Sequence, residues 1–460
     1  MSTKHVVVIG GGISGLTAAF WLKENGVPVT VLERESVAGG TMRTMQDGGW
    51  MVETGPNSAL ETTPVFGEMF GILGLTRDRL YADDASNNRY ILRSGQLHAL
   101  PMSPPAFLRS RLWTVPGKLR LLKEPFVGRA AREETIAEFV ERRLGREFLD
   151  YAINPFVAGV YAGNPEELSV RSAFPKLYAL EEKYGGLIRG MIGGARERRK
   201  RAEVAKDRAR MFSFVRGMQQ FPEAIADRLG MAVQCNCTVT AIGVQPSAQG
   251  KGPGFSIDYT LGGRASRLEA SDVVLAVPSY TAAGLLQPHA ADLARALRGI
   301  YYPPVAEVYL GYRTGQCGRP LDGFGYLIPA VEKRNILGTI WSSALFPGRA
   351  PEGHCALTTF VGGSRQPELL AHTDAEILAM VRSELASIMA VQGEPAYARV
   401  IRWDRAIPQY NLGHGKIMAM VDALEASHPG LVVCANYRGG IAVGDCVRNG
   451  RDVAERIVKS

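Results

Sequence analysis

The spacing of apolar residues between His5 and Glu33 changes twice along the chain. A run of β-branched residues predicts a buried strand, three glycines follow, apolar residues then recur at helical spacing, and a second apolar run predicts another strand. Gly10, Gly12 and Gly15 stand at the G-x-G-x-x-G spacing between the first strand and the helix. In this context the glycines predict a turn that binds the pyrophosphate of a dinucleotide.

The glycines and the acid at the end of the second strand have separate tasks in such a unit. Gly10 makes the tight turn, Gly12 lets the backbone approach the pyrophosphate, and Gly15 lets the helix pack closely on the strand. The pyrophosphate lies against free N–H groups at the helix N-terminus. Glu33 can accept hydrogen bonds from a ribose 2′-hydroxyl, and its charge disfavours the 2′-phosphate of an NADP-type ligand.

Farther along, the pattern separates a helical middle region from flanking regions that are rich in strands. Between Pro101 and about Arg210 the spacing is helical with almost no strand pattern, and it predicts a helix over Glu133–Leu144 and a helix start at Asn164–Glu167. Because the strands on both sides must join distant parts of the chain, we expect domains that are discontinuous in sequence. The other predicted elements are helices over Thr62–Leu75, Gly217–Leu229 and Asp374–Val391, a hairpin over Arg89–Leu100, and strands over Val233–Cys235, Val239–Val244, Phe255–Tyr259, Asp272–Val277, Pro304–Tyr312, Gly323–Ile328, Ile336–Trp341 and His354–Val361.

A second strand, glycine-rich loop and helix stand near the end of the chain. Leu431–Cys434 has the pattern of an apolar strand, and Ala435–Gly450 carries the glycines and opens a closing helix. One interpretation of this segment is an ordinary strand-to-helix turn. The other is the second anchor of a flavin cofactor, because the flavin ring must be held far from the adenosine end of the molecule.

Composition narrows the class of protein. The chain has 460 residues, of which 46% are hydrophobic and 21% are charged, and this predicts a globular protein of two or three domains. Six cysteines form no C-x-x-C pair and no cluster with histidine, so we expect a reducing compartment and no metal site. The net charge of +8 favours an acidic partner, and since no nucleic-acid-binding motif is present, anionic lipid and an acidic small molecule remain.

Two segments have both a membrane interpretation and a plainer one. Val6–Leu22 has no charged residue, but its β-branched start and consecutive glycines do not suit a membrane helix or a secretory signal. Arg196–Arg210 carries eight basic and three acidic residues, and taken alone it favours a solvated helix face or a mobile loop. The alternative is a patch that holds the helical region to an anionic bilayer, at about 1 kcal/mol per basic residue.

Several longer motifs are spread over nearly the whole chain. They are the VxxGPNS turn (Val52 and Gly55–Ser58), NRYILR from Asn88, and the segments Gly159–Pro175, Gly323–Pro329, Gly338–Pro351, Ile407–His414 and Tyr437–Gly450. On these motifs and their order, the chain resembles the flavin-dependent protoporphyrinogen oxidases of the HemY type, a branch of the flavin amine oxidase superfamily.

The resemblance implies an α/β fold with three parts. These are a Rossmann-like FAD-binding domain, a mixed-sheet substrate domain and a helical membrane-binding domain. In this sequence the implied FAD-binding domain takes residues 1–75, 211–288 and 402–460, the substrate domain takes 76–107 and 289–401, and the helical membrane-associated domain takes 108–210.

The resemblance also assigns contacts to residues that match the motifs of the family. Val239 is expected on the adenine side, and Trp403 and Ile441–Val443 beside the flavin ring. The expected FAD contacts are Gly10, Gly11, Gly12, Ile13, Ser14, Gly15, Glu33, Arg34, Gly40, Gly55, Pro56, Asn57, Val239, Trp403, Ile441, Ala442 and Val443. The expected substrate contacts are Asn57, Arg89, Phe324, Gly325, Leu327 and Phe346.

Without the resemblance these substrate residues have plainer interpretations. Arg89 would be a surface charge, and Phe324, Leu327 and Phe346 would be core residues. With it, Arg89 pairs with a substrate propionate in bidentate fashion, and the apolar residues enclose a macrocycle. His414 is expected to be structural, and no residue is assigned as general acid or base, since the chain shows no Ser-His-Asp, paired-carboxylate or Cys-His arrangement.

The implied reaction is the oxygen-dependent oxidation of protoporphyrinogen IX to protoporphyrin IX in haem biosynthesis. The flavin N5 takes a hydride from a methylene bridge, pyrrole nitrogens lose protons, and oxygen reoxidises the flavin with release of peroxide. Coproporphyrinogen III is the alternative substrate, although the neutral Asn57 and Thr62–Thr63 favour the less acidic protoporphyrinogen. More distant alternatives are an amine oxidase or desaturase, which the basic charge disfavours, and a non-catalytic carrier with the same fold.

The resemblance also implies partners and a location. The partners are a tetrapyrrole, molecular oxygen, a peripheral membrane surface, ferrochelatase and a second copy of the chain, with no nucleic acid. No transit peptide precedes His5, so we expect a bacterial cytoplasmic protein on the cytoplasmic face of the membrane. Ile441–Asp445 departs from the family pattern, in which GVG or GVA precedes a residue other than glycine, and we expect its backbone contacts with the flavin to be kept.

Overall fold

A computed structural model of the chain describes residues 4–83, 88–194, 209–246 and 253–460. The strands in these residues are β1 (Val6–Ile9), β2 (Val29–Leu32), β3 (Thr44–Asp47), β4 (Trp50–Glu53), β5 (Ala59–Leu60), β6 (Arg79–Tyr81), β7 (Arg89–Arg93), β8 (Gln96–Ala99), β9 (Met211–Phe214), β10 (Val233–Gln234), β11 (Cys237–Pro246), β12 (Pro253–Leu261), β13 (Arg264–Ala270), β14 (Asp272–Leu275), β15 (Val305–Arg313), β16 (Gly325–Leu327), β17 (Gly338–Ile340), β18 (His354–Gly362), β19 (Tyr397–Trp403) and β20 (Leu431–Val433). The α-helices are Ile13–Glu24, Val65–Ile72, Pro104–Arg109, Val115–Arg120, Ile136–Leu144, Arg146–Phe148, Asn154–Tyr161, Val170–Ala173, Pro175–Tyr184, Leu187–Gly193, Gln220–Leu229, Ser279–Leu286, Ala291–Arg298, Ser342–Leu345, Asp374–Met389, His414–Ser427 and Val443–Lys459.

A five-stranded parallel sheet joins the two ends of the chain. Its strand order is β10-β2-β1-β14-β20, and every neighbouring pair is parallel. All four residues of β1 are buried, which explains the uninterrupted apolar run there, since a parallel strand is covered on both faces. Because parallel strands end at the same edge, the glycine turn after β1 and the loop after β20 lie at one edge of the sheet.

The helices that follow β1 and β20 pack directly against each other. A Cβ added at Gly450 would lie 2.8 Å from Cβ of Thr17 and 2.9 Å from the carbonyl oxygen of Ser14. The absence of a side chain at Gly450 therefore allows the C-terminal helix to approach the first helix closely. This packing holds the N-termini of both helices side by side.

A seven-stranded mixed sheet forms the second layer of the molecule, with strand order β19-β15-β18-β17-β16-β7-β8. Only β16 and β7 pair in parallel within it. On β15, Ala306, Val308 and Leu310 point into a core that is covered by the helix Asp374–Met389. The alternate residues of β15 face the opposite side, where Tyr309 packs against Trp50 of β4.

The region from Pro101 to Gly194 is helical, as its spacing predicts, and the described residues there form no strand longer than an isolated bridge. Its core holds a buried ion cluster, in which Arg143 Nη1 donates to Glu124 Oε1 at 2.8 Å and Arg143 Nε donates to Glu181 Oε2. Arg143 and Glu124 are fully buried. Residues 196–208 of the basic run lie outside the described residues.

Most predicted elements are confirmed, with shifts of a few residues at their ends. The predicted helix start at Asn164–Glu167 is wrong, because these residues form a turn in which Glu166 N donates to Asn164 Oδ1 at 3.2 Å. The next helix begins at Val170 instead, after a cap in which Ser172 N donates to Ser169 Oγ. The pattern also missed β13, β19 and the helix His414–Ser427. The domain boundaries given above stay a prediction, within a mixed α/β fold that has several sheets.

Candidate functional site

One cavity of about 2180 Å³ lies where the parallel sheet, the mixed sheet and the helical region meet. The turn after β1 and the loop after β20 both line it, although more than 400 residues separate them in sequence. Near the mixed sheet its lining includes Leu327, Ile340 and Phe360, and near the two helix N-termini it includes Gly12, Ser14 and Ala442. The two glycine-bearing loops therefore face one common space.

The turn after β1 has the shape that a dinucleotide requires. Gly10 has a φ of +105°, and a Cβ there would lie 2.6 Å from the carbonyl oxygen of Ala276. A Cβ at Gly15 would lie 2.1 Å from the carbonyl oxygen of Gly10. Gly12, in contrast, has no protein atom within 4 Å of an added Cβ and faces the cavity. This open space at a helix N-terminus fits a pyrophosphate.

Glu33 lies at the end of β2 and lines the cavity beside this turn. Its Oε2 accepts a hydrogen bond from Gly11 N at 2.6 Å, and its Oε1 accepts one from Glu35 N at 2.8 Å. These bonds fix the orientation of the carboxylate. Since each carboxylate oxygen has two lone pairs, both oxygens can still accept from ribose hydroxyls.

The second loop presents the start of the C-terminal helix to the cavity. Ala442 precedes that helix and makes no side-chain cap, so the first N–H groups of the helix are available to a ligand. Tyr410 OH donates to Asn436 O at 2.5 Å and accepts from Gly440 N at 3.1 Å, which fixes the loop. The arrangement fits the second anchor of a flavin.

His414 supports this loop from behind. Its ring stacks on Tyr410 with the ring centres 4.2 Å apart, and its Nε2 lies 2.9 Å from Tyr437 O. Burial lowers the pKa of His414 to about 4, so the ring is neutral and donates its Nε2–H to that carbonyl. These contacts give His414 a structural task.

The apolar end of the cavity carries Arg89 and Phe324. The Arg89 guanidinium lies 5.8 Å from the centre of the Phe324 ring, and burial lowers its pKa, with no carboxylate among the described residues contributing to the shift. The Arg89 side chain is nevertheless solvent-exposed, because the cavity that it faces is open. An acidic group of a ligand could therefore pair with it. Leu327 forms the wall beside Gly159, where an added Cβ would lie 2.7 Å from Leu327 Cδ2.

Most of the predicted contact residues line this cavity, and four do not. Gly11 and Gly15 lie behind the turn, where they bind Glu33 and pack the helix. Gly325 is buried in β16 and Phe346 is buried near Arg349, and neither lines the cavity. Their predicted contacts with the substrate stay a prediction. The predicted residues that line the cavity are Gly10, Gly12, Ile13, Ser14, Glu33, Arg34, Gly40, Gly55, Pro56, Asn57, Arg89, Val239, Phe324, Leu327, Trp403, Ile441, Ala442 and Val443.

The structure adds a buried acidic pair that the sequence analysis missed. Glu307 on β15 lines the cavity, and burial raises its pKa to about 8. Glu53 lies behind it, 3.3 Å from Arg349 Nη2, and burial raises its pKa to about 7. The available signal was a lone charged residue within the apolar strand pattern of Pro304–Tyr312.

Comparison with known proteins agrees with this geometry. The sequence profile described as "Flavin containing amine oxidoreductase" matches residues 13–458. Protoporphyrinogen oxidase 2, chloroplastic/mitochondrial, of Arabidopsis thaliana is 31% identical, covering 100% of this chain and 94% of its own. Coproporphyrinogen III oxidase of Bacillus subtilis is 30% identical, covering 97% and 96%. A crystal structure from Exiguobacterium sp. 255-15, named as a candidate protoporphyrinogen oxidase, superposes with a TM-score of 0.81 at 22% identity, covering 100% and 99%, and so shows the shared fold.

Proposed function

Because the chain belongs to the family of flavin containing amine oxidoreductases, it is an FAD-dependent enzyme, and we propose that it oxidises protoporphyrinogen IX to protoporphyrin IX with oxygen as acceptor. One observation carries the proposal. A single cavity runs from a dinucleotide-binding turn to an apolar slot that contains an arginine without an acidic partner among the described residues. A flat apolar ring with propionate groups has the chemistry that such a slot accepts.

The residues of the chain bind and orient the reactants in this proposal. When bound, FAD supplies the hydride acceptor of the reaction. Glu33 and the N–H groups around Gly12 would hold its ribose and pyrophosphate, and the loop before Val443 would hold its ring. Arg89 would pair with a propionate, while Leu327 and its apolar neighbours exclude water from the macrocycle.

The test is anaerobic bleaching of the flavin absorbance when the purified holoenzyme is mixed with protoporphyrinogen. We expect bleaching, and then recovery of the absorbance with peroxide formation when oxygen is admitted. A yellow protein that amines bleach and porphyrinogens do not would be an amine oxidase. A protein without flavin absorbance would support the carrier alternative and contradict the proposal.

Coproporphyrinogen III is the second candidate substrate. Besides Arg89, the cations Lys176 and Arg405 line the cavity, and a substrate with four carboxylates could use more than one of them. The similarity to the coproporphyrinogen III oxidase of Bacillus subtilis also supports coproporphyrinogen III as a candidate substrate. Comparing the rate of bleaching by the two porphyrinogens at equal concentration decides between them.

We also propose that the helical region lies on a membrane surface of the cytoplasmic side. Large apolar side chains are exposed there, and Phe126, at 85% exposure, is an extreme case. Among the described residues no helix is long and apolar enough to cross a bilayer. Ferrochelatase and a second copy of the chain stay predicted partners. The exposed apolar residues of this surface are Met102, Leu108, Val115, Leu119, Leu122, Phe126, Met191 and Ile192, and basic residues among them are Arg111, Lys118 and Lys123.

Sedimentation with anionic vesicles at low salt tests this surface. Phe126→Ser and Leu122→Ser together should reduce the bound fraction without changing the unfolding midpoint, since both side chains are exposed. A matched control is Val458→Ser on the C-terminal helix, which is 39% exposed and outside the helical region. Wild-type protein that stays in the supernatant would contradict the proposal.

A further inference from the structure

Glu307 occupies the end of a row of side chains that forms one wall of the cavity. The strand register places Leu327 opposite Gly338, Gly338 opposite Phe360, and Phe360 opposite Glu307. Paired residues on neighbouring strands point to the same face of a sheet, and all four of these residues line the cavity. Three strand spacings of about 4.8 Å put Glu307 about 14 Å from Leu327 along this wall.

The Glu307 carboxyl is buried and incompletely paired. The residue is 5% exposed, and its Oε2 has no hydrogen-bond partner among the residues that the structure describes. The side chains of Asn57 and Trp403 lie next to the carboxyl and favour its charged form. The indole N–H of Trp403 itself donates to Thr54 O at 2.7 Å, and the Asn57 amide donates to Gly55 O at 3.2 Å. Both residues line the cavity at the expected position of the flavin ring. A buried polar atom without a partner is costly for folding alone, so its presence in a residue that lines the cavity points to a task there.

The charged neighbours of Glu307 lie behind it, away from the cavity. Glu53 on β4 repels it, while Arg349 pairs with Glu53 and not with Glu307. Tyr309, two residues along β15, donates its OH to Arg349 O and stays neutral, because burial raises its pKa. A small void of about 10 Å³, enough for one water, lies between Asn57, Glu53 and these groups.

We propose that Glu307 is the proton-holding residue of this site, accepting at Oε2 the proton that leaves the substrate and returning it when oxygen is reduced. This step rests on the proposed porphyrinogen oxidation. In the first half-reaction the substrate breaks a methylene C–H bond and a pyrrole N–H bond. Bound FAD would supply the acceptor for the hydride and its two electrons, and the proton converts the Glu307 carboxylate to the acid.

The second half-reaction restores the site with the same proton. Oxygen would accept the two electrons and the hydrogen that left the substrate as hydride, and the Glu307 acid supplies the second hydrogen of hydrogen peroxide. Protons and electrons therefore balance within one turnover, without exchange with bulk water. The buried Glu307 carboxyl suits this task, because a group whose pKa is near the working pH can both accept a proton and donate it.

The sign of the pH dependence follows from the raised pKa of Glu307. The carboxylate is the proton acceptor, and its fraction rises as the pH passes about 8. Between pH 7 and pH 9 that fraction increases about tenfold, and the rate of the first half-reaction should increase with it. Replacing Glu53 by glutamine removes a repelling charge, so the midpoint of this rise should move to lower pH.

The experiment is stopped-flow bleaching of the holoenzyme flavin by protoporphyrinogen under anaerobic conditions between pH 6 and pH 9. We expect the wild-type rate to rise about ninetyfold between pH 6 and pH 9 with a midpoint near 8, of which the last two pH units account for about tenfold. The Glu307→Gln rate should be flat and about a hundredfold lower than wild type at pH 9. Wild-type protein that does not bleach overturns the proposed function and this step with it. Wild-type bleaching that Glu307→Gln reproduces, with the same pH profile, overturns the role of Glu307 alone.

A second readout does not depend on turnover. Infrared difference spectra of the substrate-free holoenzyme should show a carboxylic acid band that disappears as the pH passes about 8 in wild type and is absent in Glu307→Gln. Identical bands in both proteins overturn the inference. If Glu307→Gln does not retain FAD, Glu307→Asp keeps a carboxyl at the site, and its bleaching rate must still rise with pH. A flat profile in Glu307→Asp overturns the inference as well.

Discussion

Gly12→Ala is expected to separate cofactor binding from folding. Gly12 is the cap of the first helix, with φ −73° and ψ 173°, a conformation that alanine adopts without strain. An added Cβ meets no protein atom within 4 Å and extends into the cavity. The methyl group therefore fills the space that the pyrophosphate needs while leaving the apoprotein unchanged.

Gly12→Ala should change the stability of the apoprotein little and the affinity for FAD strongly. Alanine is a poorer helix cap than glycine by about 0.5–1 kcal/mol, and it reduces the entropy of the unfolded chain by about 0.4–1 kcal/mol, so the stability of the apoprotein should barely change. An extra methyl in a filled site costs about 1–3 kcal/mol. FAD affinity should therefore fall about 5- to 150-fold.

The assay is a titration of apoprotein with FAD, followed by quenching of flavin fluorescence, together with thermal unfolding of the apoprotein. Gly67→Ala is a matched control, because Gly67 is exposed, also has no atom within 4 Å of an added Cβ, and lies on a helix outside the cavity lining. Gly15→Ala is the opposite control and should destabilise the fold, since its Cβ would collide with the carbonyl oxygen of Gly10. Equal FAD affinity in Gly12→Ala and Gly67→Ala would refute the placement of the pyrophosphate.

Three further predictions concern charged side chains. Arg89→Ala should raise the KM for protoporphyrinogen about tenfold or more and leave kcat similar in steady-state assays, because a charge-assisted pair contributes about 1.5–3 kcal/mol; an unchanged KM would contradict the propionate pairing. Arg143→Met should lower the free energy of unfolding in urea by about 3–5 kcal/mol, because it leaves the buried Glu124 without its cation and leaves Glu181 with Arg142 alone. Arg132→Met, at an exposed pair, should leave the urea midpoint nearly unchanged, and an equal loss in both variants would contradict the prediction. Glu307→Gln should become more stable relative to wild type as the pH rises from about 4.5 to about 8, because a carboxyl whose pKa is raised in the folded state destabilises that state increasingly over this window. A difference in urea midpoint between the two proteins that is the same at pH 5 and at pH 8 would contradict the prediction.

The nucleotide half of the site was predictable because its rules are local. The turn after β1 needs glycines at fixed spacing, a strand before them and a helix after them, and all of this is visible in one short segment. The loop before Val443 was visible for the same reason, as a strand followed by glycines and a helix. That both loops face one cavity follows from the parallel order of β1, β14 and β20, since such strands end at the same edge.

The substrate half was predictable only in part, because it depends on sheet register. Gly325 and Phe346 lie in matched motifs, yet one is enclosed between strands and the other packs near Arg349, away from the cavity. The helix start expected at Asn164 failed for a related reason. The Asn164 side chain satisfies a backbone N–H within a turn, and the proline and acids that suit a first helical turn suit that turn equally.

Glu307 is an example of a site residue that the sequence marks even though its neighbours depend on sheet register. Its strand is buried along nearly its whole length, so a carboxyl at the third position conflicts with the local pattern and costs free energy unless something offsets the loss of water. Arg143 is also a buried charge, but it pairs with the buried carboxylates of Glu124 and Glu181, so the charges of this cluster are satisfied within the protein. Glu307 lines the cavity, and among the described residues its Oε2 has no such partner, so we assign this carboxyl to the reaction. A charge within an apolar strand is therefore a reason to look for a reacting group, and the neighbours that the fold supplies decide whether the charge serves stability or chemistry.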